Sequence, residues 1–344
     1  MKSDKLIKIW LLTGCAMIVV MVLIGGITRL TDSGLSITEW DVIKGSIPPI
    51  GEEAWNEAFD KYKQIPEFQL RHSHFDLQDF KRIFFWEYIH RLWGRIMGLV
   101  FFFPFAWLWY KKKWSPRLKR RGIIILLGGG AVGALGWFMV SSGLSENPDV
   151  SHYRLAIHLV AAFSLFSFVY WTYLLLQSNK AGVLREQLSK PLKYSITIAI
   201  MLLGLQIVYG AFTAGLDAGL MYNTWPLMNG SFVPENLAPF DSTIKNLTDH
   251  KDGVQFIHRN MALILGVLTF FIAFKLKAVS LTGKTWFWLV VLVLLQITLG
   301  ICTLIDAKNG DISVFWGTFH QLGALFLLIQ YLNLAFKTWA KPLD

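Results

Sequence analysis

The sequence predicts an all-α integral membrane protein: eight transmembrane helices arranged as two pseudo-symmetric four-helix bundles, with both termini in the cytoplasm. Three observations carry this. The chain of 344 residues is 54% hydrophobic and only 16% charged, with mean hydropathy +0.45. It contains eight apolar runs near the length of about 20 residues that a spanning helix needs. Its second half repeats features of its first. A soluble protein with such runs and so little charge would lack a polar surface.

The runs fall at Trp10–Thr28, Phe84–Tyr110, Ile123–Gly143, Leu155–Leu176, Tyr194–Gly215, Val254–Phe274, Trp286–Ile305 and Val314–Phe336. The net charge of +10 is not spread as on a nucleic-acid-binding face. Lys2, Lys5 and Lys8 precede span one, and Lys111, Lys112, Lys113, Arg117, Lys119, Arg120 and Arg121 follow span two. Lys180, Arg185, Lys190 and Lys193 follow span four, Lys275, Lys277 and Lys284 follow span six, and Lys337 and Lys341 follow span eight. Short basic loops stay in the cytoplasm, so both termini are expected inside. Span one is too long for a signal-peptide core and no Ala-x-Ala site follows it, so it is expected to stay as a helix. No Arg-rich transit sequence precedes it, which favours a bacterial inner membrane.

The repeat sets residues 1–180 against residues 181–344. Thr28-Arg29-Leu30-Thr31-Asp32-Ser33-Gly34-Leu35 ends span one, and Thr213-Ala214-Gly215-Leu216-Asp217-Ala218-Gly219-Leu220 ends span five. Trp40 and Trp225 follow at equal distances. Four spans separate the copies, so the repeat is parallel, about an axis along the membrane normal. The outer loops, about 29–83 and 216–253, are rich in aromatic residues and Pro and are expected to be ordered caps. The first holds a short amphipathic helix near Glu53–Tyr62. Trp40 and Trp225 read as interfacial anchors or as site-lining residues. Cys15 and Cys302 lie toward opposite ends of their spans and are not expected to pair. No Cys-x-x-Cys-His attaches a haem covalently.

Four of the eight histidines open the even-numbered spans: His90, His158, His258 and His320. All four therefore share one depth, toward the outer side. His72, His74, His152 and His250 fall in outer segments or at span edges and are expected to be solvated. An ionisable group within a span is costly and faces a partner in the bundle interior. Paired imidazoles on facing helices suit bis-histidine ligation of haem iron. Two ligands per half are too few for zinc. Arg91, Arg95, Arg154 and Arg259 stand beside these histidines. Guanidinium is the fitting partner for haem propionates, or alternatively for lipid headgroups. Gly98 and Gly266, two turns further in, allow a flat macrocycle to approach the backbone or two helices to pack.

One difference between the two halves bears on chemistry. Glu87-Tyr88-Ile89-His90-Arg91 matches Gln255-Phe256-Ile257-His258-Arg259. Glu87 shares a helix face with His90. A carboxylate there accepts a proton or stabilises a developing cation, and an amide cannot titrate. One acid kept and one neutralised points to one reactive site and one electron-handling site.

These motifs resemble the haem A synthases. The likeness runs through Gly34-Leu35-Ser36-Ile37-Thr38-Glu39-Trp40, Glu87 to Arg91, Leu135-Gly136-Trp137-Phe138-Met139-Val140 and Tyr153 to His158. It continues through Ala214 to Gly219, Asn223-Thr224-Trp225-Pro226-Leu227-Met228, Phe256 to Arg259 and Phe319-His320-Gln321. The resemblance implies oxidation of the ring methyl at position 8 of haem O to a formyl group, through successive hydroxylations, giving haem A for terminal oxidases. It implies a resident haem b on His258 and His320. It implies that His90 and His158 bind the substrate haem iron, with Glu87 beside the reacting methyl. A haem O synthase and an electron-transfer protein are the implied partners, and a homo-oligomer is compatible with the sequence. Some family members carry two cysteines in the first outer loop, and this chain has none there. Two rivals stand beside this reading: a di-haem b-type electron-transfer cytochrome, and a haem carrier. The first does not need Glu87 to differ from Gln255. The second needs a path to both membrane faces.

Overall fold

Each of the eight apolar runs is a helix in a computed structural model that describes residues 2–41, 44–144, 148–177, 181–279, 282–307 and 310–341. Lys180, one of the basic residues noted above, lies outside the described residues. The spans are α1 (Lys2–Leu30), α3 (Leu77–Tyr110), α4 (Pro116–Val140), α5 (His152–Leu175), α6 (Lys190–Gly215), α8 (Lys251–Lys277), α9 (Thr285–Asp306) and α10 (Val314–Trp339). Two shorter helices, α2 (Glu52–Tyr62) and α7 (Thr243–Thr248), lie in the loops that follow α1 and α6. Among the described residues no strand forms.

Several helices outrun the apolar stretch, for local reasons. α3 begins seven residues before Phe84 because Asp76 caps it. The Asp76 carboxylate accepts from the Gln78 and Asp79 amides at 2.7 and 3.0 Å, and Asp79 returns a bond to the Asp76 amide. α4 begins at Pro116 behind a Ser115 cap, which draws Arg117, Lys119, Arg120 and Arg121 into its first turns rather than leaving them in a loop. Pro104 interrupts α3 and frees the carbonyl of Val100 one turn back. The Trp10 indole takes that carbonyl, at 3.1 Å, and so binds α1 to α3 at the break.

A continuous apolar core threads all eight spans, from Ile7, Leu11 and Val22 of α1 through Phe166, Leu203 and Ile272 to Leu325 and Tyr331 of α10. α1 packs on α3, α5 and α10, and α10 also packs on α5, α6 and α9. The first and last spans therefore meet. Gln321 of α10 reaches the Val22 carbonyl, and Gly26 and Gly317 give the two backbones room. A second aromatic cluster caps the first four spans. Phe59 and Tyr62 of α2 stack on Phe80, and Trp55 meets Phe84 edge-on. Such pairs contribute about 0.5–1.5 kcal/mol each beyond burial. The cap fixes the loop that runs over the start of α3. The expected helix near Glu53–Tyr62 is thus present as the aromatic floor of an ordered loop.

Candidate functional site

His158, His258 and His320 lie about two turns into α5, α8 and α10, whereas His90 lies 13 residues into α3, which starts earlier than its apolar run. Each ring rests on a glycine of the preceding span. A Cβ built on Gly136, Gly210 or Gly300 would come within 3.0, 3.2 or 2.8 Å of the ring of His158, His258 or His320. A Cβ on Gly25 would stand 3.7 Å from His90. Any larger residue at the first three positions has to push an imidazole aside. Gly98 has open space around it and Gly266 packs on Ile297, so neither touches a histidine.

The His258 and His320 rings face one another with centroids 6.3 Å apart and planes at 83°. Two metal–nitrogen bonds of about 2 Å, each extended by the distance from nitrogen to ring centre, span on the order of 6 Å. The spacing fits one iron held between two imidazoles. Both rings are oriented from the neighbouring span. His320 Nδ1 lies 3.1 Å from the Gln296 carbonyl, and the Gln296 amide donates to the His320 carbonyl at 3.0 Å. The Gln206 amide donates to the His258 carbonyl at 2.9 Å and lies 3.0 Å from His258 Nδ1. An Nδ1–H given to a carbonyl leaves the Nε2 lone pair for a metal.

In the first four spans His158 acts electrostatically on His90 and the Val132 main chain meets the His158 ring, and among the described residues no side chain hydrogen-bonds to either ring. Glu87 is 3% exposed. Its Oε2 accepts from Ser36 Oγ and from the Ile37 amide, both at 2.7 Å, and its Oε1 meets Arg91 at 2.5 Å. Through these three donors the group fastens residues 36–37 to α3. Gln255 fastens the other loop, donating to the Tyr222 carbonyl at 3.3 Å. Next to it Asp252, also buried, accepts from Tyr222 Oη at 2.9 Å.

The arginines seen in the sequence are loop fasteners too. Arg91 donates to the Ile37 and Glu39 carbonyls and covers the exposed Trp40 ring. Arg259 donates to the Thr224, Pro226 and Leu227 carbonyls. Arg95 holds the Asp41 carbonyl, and Arg154 holds the Phe138 carbonyl and lies over that ring. Arg259 Nη1 is buried without a partner, a donor left over for a carboxylate.

Three histidines expected to be solvated are not: His250 is half-buried with its ring against Phe240, and the other two have polar partners. His72 is half-buried and bonded to Tyr62 Oη at 2.7 Å, and His152 faces Asp249 at 3.4 Å. Tyr62 Oη also donates to Glu67 at 3.0 Å, and burial pushes the Glu67 carboxyl up to about 8. Cys15 and Cys302 are both free. Ser36, Gln206, Gln296 and the glycines under the rings are the site residues that the sequence reading passed over. Gln-x-x-x-Gly occurs on both span five and span seven, and that repetition was the available signal.

Eight apolar helices carrying a facing imidazole pair near one end define a polytopic membrane protein. Among the described residues no three His, Cys, Asp or Glu side chains converge. The chain belongs to the COX15-CtaA family, described as cytochrome oxidase assembly protein, whose model matches residues 8–332. It is 43% identical over 334 residues to the heme A synthase of Flavobacterium johnsoniae, covering 95% of this chain and 96% of that one. It is 40% identical to the heme A synthase of Nitrosospira multiformis, covering 94% and 91%. It is 42% identical to that of Anaplasma marginale strain St. Maries, again covering 94% and 91%.

Proposed function

We propose that this protein is a haem A synthase. It takes haem O and oxidises the methyl at ring position 8 to a formyl group through successive hydroxylations. The carbon passes through an alcohol to a geminal diol, which loses water. The supporting observation is the 6.3 Å imidazole pair in a chain so similar to named heme A synthases.

Residues 181–344 would hold the resident haem b, with His258 and His320 binding its iron. When bound, that haem supplies one-electron chemistry. Residues 1–180 take the substrate, with His90 and His158 on its iron. Glu87 holds or moves the proton at its carboxylate, and Ser36 and Arg91 must yield for it to turn toward a substrate. Arg91, Arg95, Arg154 and Arg259 close the outer loops over the two sites. Arg259 Nη1 is the donor best placed to meet a propionate. Both termini face the cytoplasm of a bacterial inner membrane, and the sites lie toward the periplasmic side. A haem O synthase and an electron-transfer protein complete the reaction.

Haems extracted from the purified protein and identified by chromatography and mass test this reading. Haem b with haem O, haem A or a hydroxylated intermediate is the expected result. His258→Ala or His320→Ala should remove the haem b, and His90→Ala or His158→Ala should spare it while stopping conversion. Two haem b per chain, even with haem O co-produced, would make the protein an electron-transfer cytochrome instead.

A further inference from the structure

All four histidines stand on a glycine, but only two have a glutamine one turn further along. On α6 the motif is Gln206-Ile207-Val208-Tyr209-Gly210, and on α9 it is Gln296-Ile297-Thr298-Leu299-Gly300. The corresponding stretches of α1 and α4 are Met21-Val22-Leu23-Ile24-Gly25 and Val132-Gly133-Ala134-Leu135-Gly136. Residues at i and i+4 share a helix face, so each glutamine and its glycine meet the same histidine together. The glycine lets the ring close on the backbone, and the glutamine then works from both ends. In α9 its main-chain oxygen takes the His320 ring nitrogen at 3.1 Å, and its side-chain amide holds the His320 carbonyl at 3.0 Å. In α6 the Gln206 amide does the same for His258 at 2.9 Å. Oε1 of both glutamines is buried without a partner. A half-turn of the amide presents that acceptor to Nδ1–H. Gly323 leaves space for the Gln296 side chain, since a Cβ there would lie within bonding range of its Oε1. Met21, in contrast, sets an apolar methyl against Gly94 below His90.

We infer that Gln206 and Gln296 are positioning residues that make the second histidine pair a permanent iron site, and that the apolar Met21 and Val132 keep the first pair exchangeable. The inference rests on the proposed placement of haem b on His258 and His320. An oriented, hydrogen-bonded imidazole is a better donor to ferric iron and is fixed in the ligating tautomer. The Val132 main chain also meets the His158 ring, so what the first pair lacks is the side-chain amide, and an imidazole without it releases its ligand more readily. A synthase needs both behaviours in one chain, because its cofactor must stay and its product must leave.

The test uses the full-length protein in detergent. Gln206→Met and Gln296→Met give α6 and α9 the residue that α1 carries. Two quantities are read: the midpoint potential of the low-spin haem, and the rate of haem transfer to excess apomyoglobin. Loss of such an outer partner typically weakens a metal site by about 10- to 100-fold. Transfer should accelerate by about that factor, and the potential should rise. The reciprocal variant, Met21→Gln with Val132→Gln, should raise the fraction of chains purified with haem O or haem A bound. An unchanged potential in both methionine variants overturns the inference, and so does faster transfer without a potential change, which would reduce the glutamines to packing. His258→Ala separates the two layers. If it retains the low-spin haem, the placement of haem b fails. If it loses that haem while the methionine variants match the parent, only the role of the glutamines fails.

Discussion

At the head of α3 a buried carboxylate, Glu87, accepts from Ser36, Ile37 and Arg91; at the head of α8 a buried amide, Gln255, donates to Tyr222. Both fasten an outer loop. Around each, an arginine one residue past the histidine grips loop carbonyls, Arg91 on residues 37 and 39 and Arg259 on residues 224, 226 and 227. The mechanical plan is shared, and the difference lies in charge and in the grip on the rings. The first half has a titratable group and imidazoles that no side-chain amide holds. The second has a neutral amide and imidazoles held by Gln206 and Gln296. The comparison teaches that loop closure and chemistry are separable uses of one position.

The sharpest way to break the comparison is to make the halves alike. Glu87→Gln keeps the loop contact in kind and removes the acid. Haem A formation from haem O should fall by about 100-fold or more, the scale of a lost general acid–base group, while haem b content is unchanged. Full activity would leave Glu87 as a loop fastener only. Next in size are the glycine seats. Gly300→Ala puts a Cβ 2.8 Å from the His320 ring, and Gly25→Ala puts one 3.7 Å from His90. The first should cost about 1–3 kcal/mol by overpacking and lower haem b occupancy, and the second should be nearly silent. Thermal unfolding and the haem-to-protein absorbance ratio read both.

Arginine exchange sharpens the comparison further. Lysine cannot bridge several carbonyls with one planar fork. Arg91→Lys and Arg259→Lys should both lower the melting temperature. Arg91→Lys should lower it more, because it also strips a partner from the buried Glu87. The smallest effect concerns the cap over the first half. Glu67 is buried against Tyr62, with Arg71 and His72 nearby, and its carboxyl is raised to about 8. A raised acid keeps its proton in the folded cap and loses it in the unfolded chain, so the cap is favoured below its usual range near 4.5. That advantage disappears as the pH rises through about 8. Hydrogen exchange over residues 62–75 should therefore quicken between about pH 6 and pH 9 relative to its intrinsic rate. Glu67→Gln should flatten the response, and the loop after α6 should not share it.

The spans and the histidine quartet were legible because hydropathy and repetition are properties of one dimension. Each helix stands within a few residues of its apolar run, and where it outruns the run a cap explains it, as Asp76 and Ser115 do. The seats were not legible. Gly98 and Gly266 stood out for their distance along the same helix as the histidines, whereas Gly136, Gly210 and Gly300 act from the neighbouring helix. Sequence spacing reports same-helix neighbours and is silent on which residue of another helix lies opposite. The arginines are a related case. Their charge suggested an anionic ligand, yet most of their donors go to loop carbonyls. Backbone acceptors carry no sequence signature. The partners of His72 and His152, Tyr62 and Asp249, come from other parts of the chain and leave no mark beside the histidines in the sequence.

The contact between α1 and α10 bears on how the protein is made. A ribosome delivers α1 first, and the helix that covers its inner face arrives last. Until then Gly26 lacks the Thr318 and Gln321 neighbours that meet it in the finished protein. The nascent chain must wait in the bilayer with its opening helix partly unpaired. Truncation within α10 should therefore injure the half that was synthesised first.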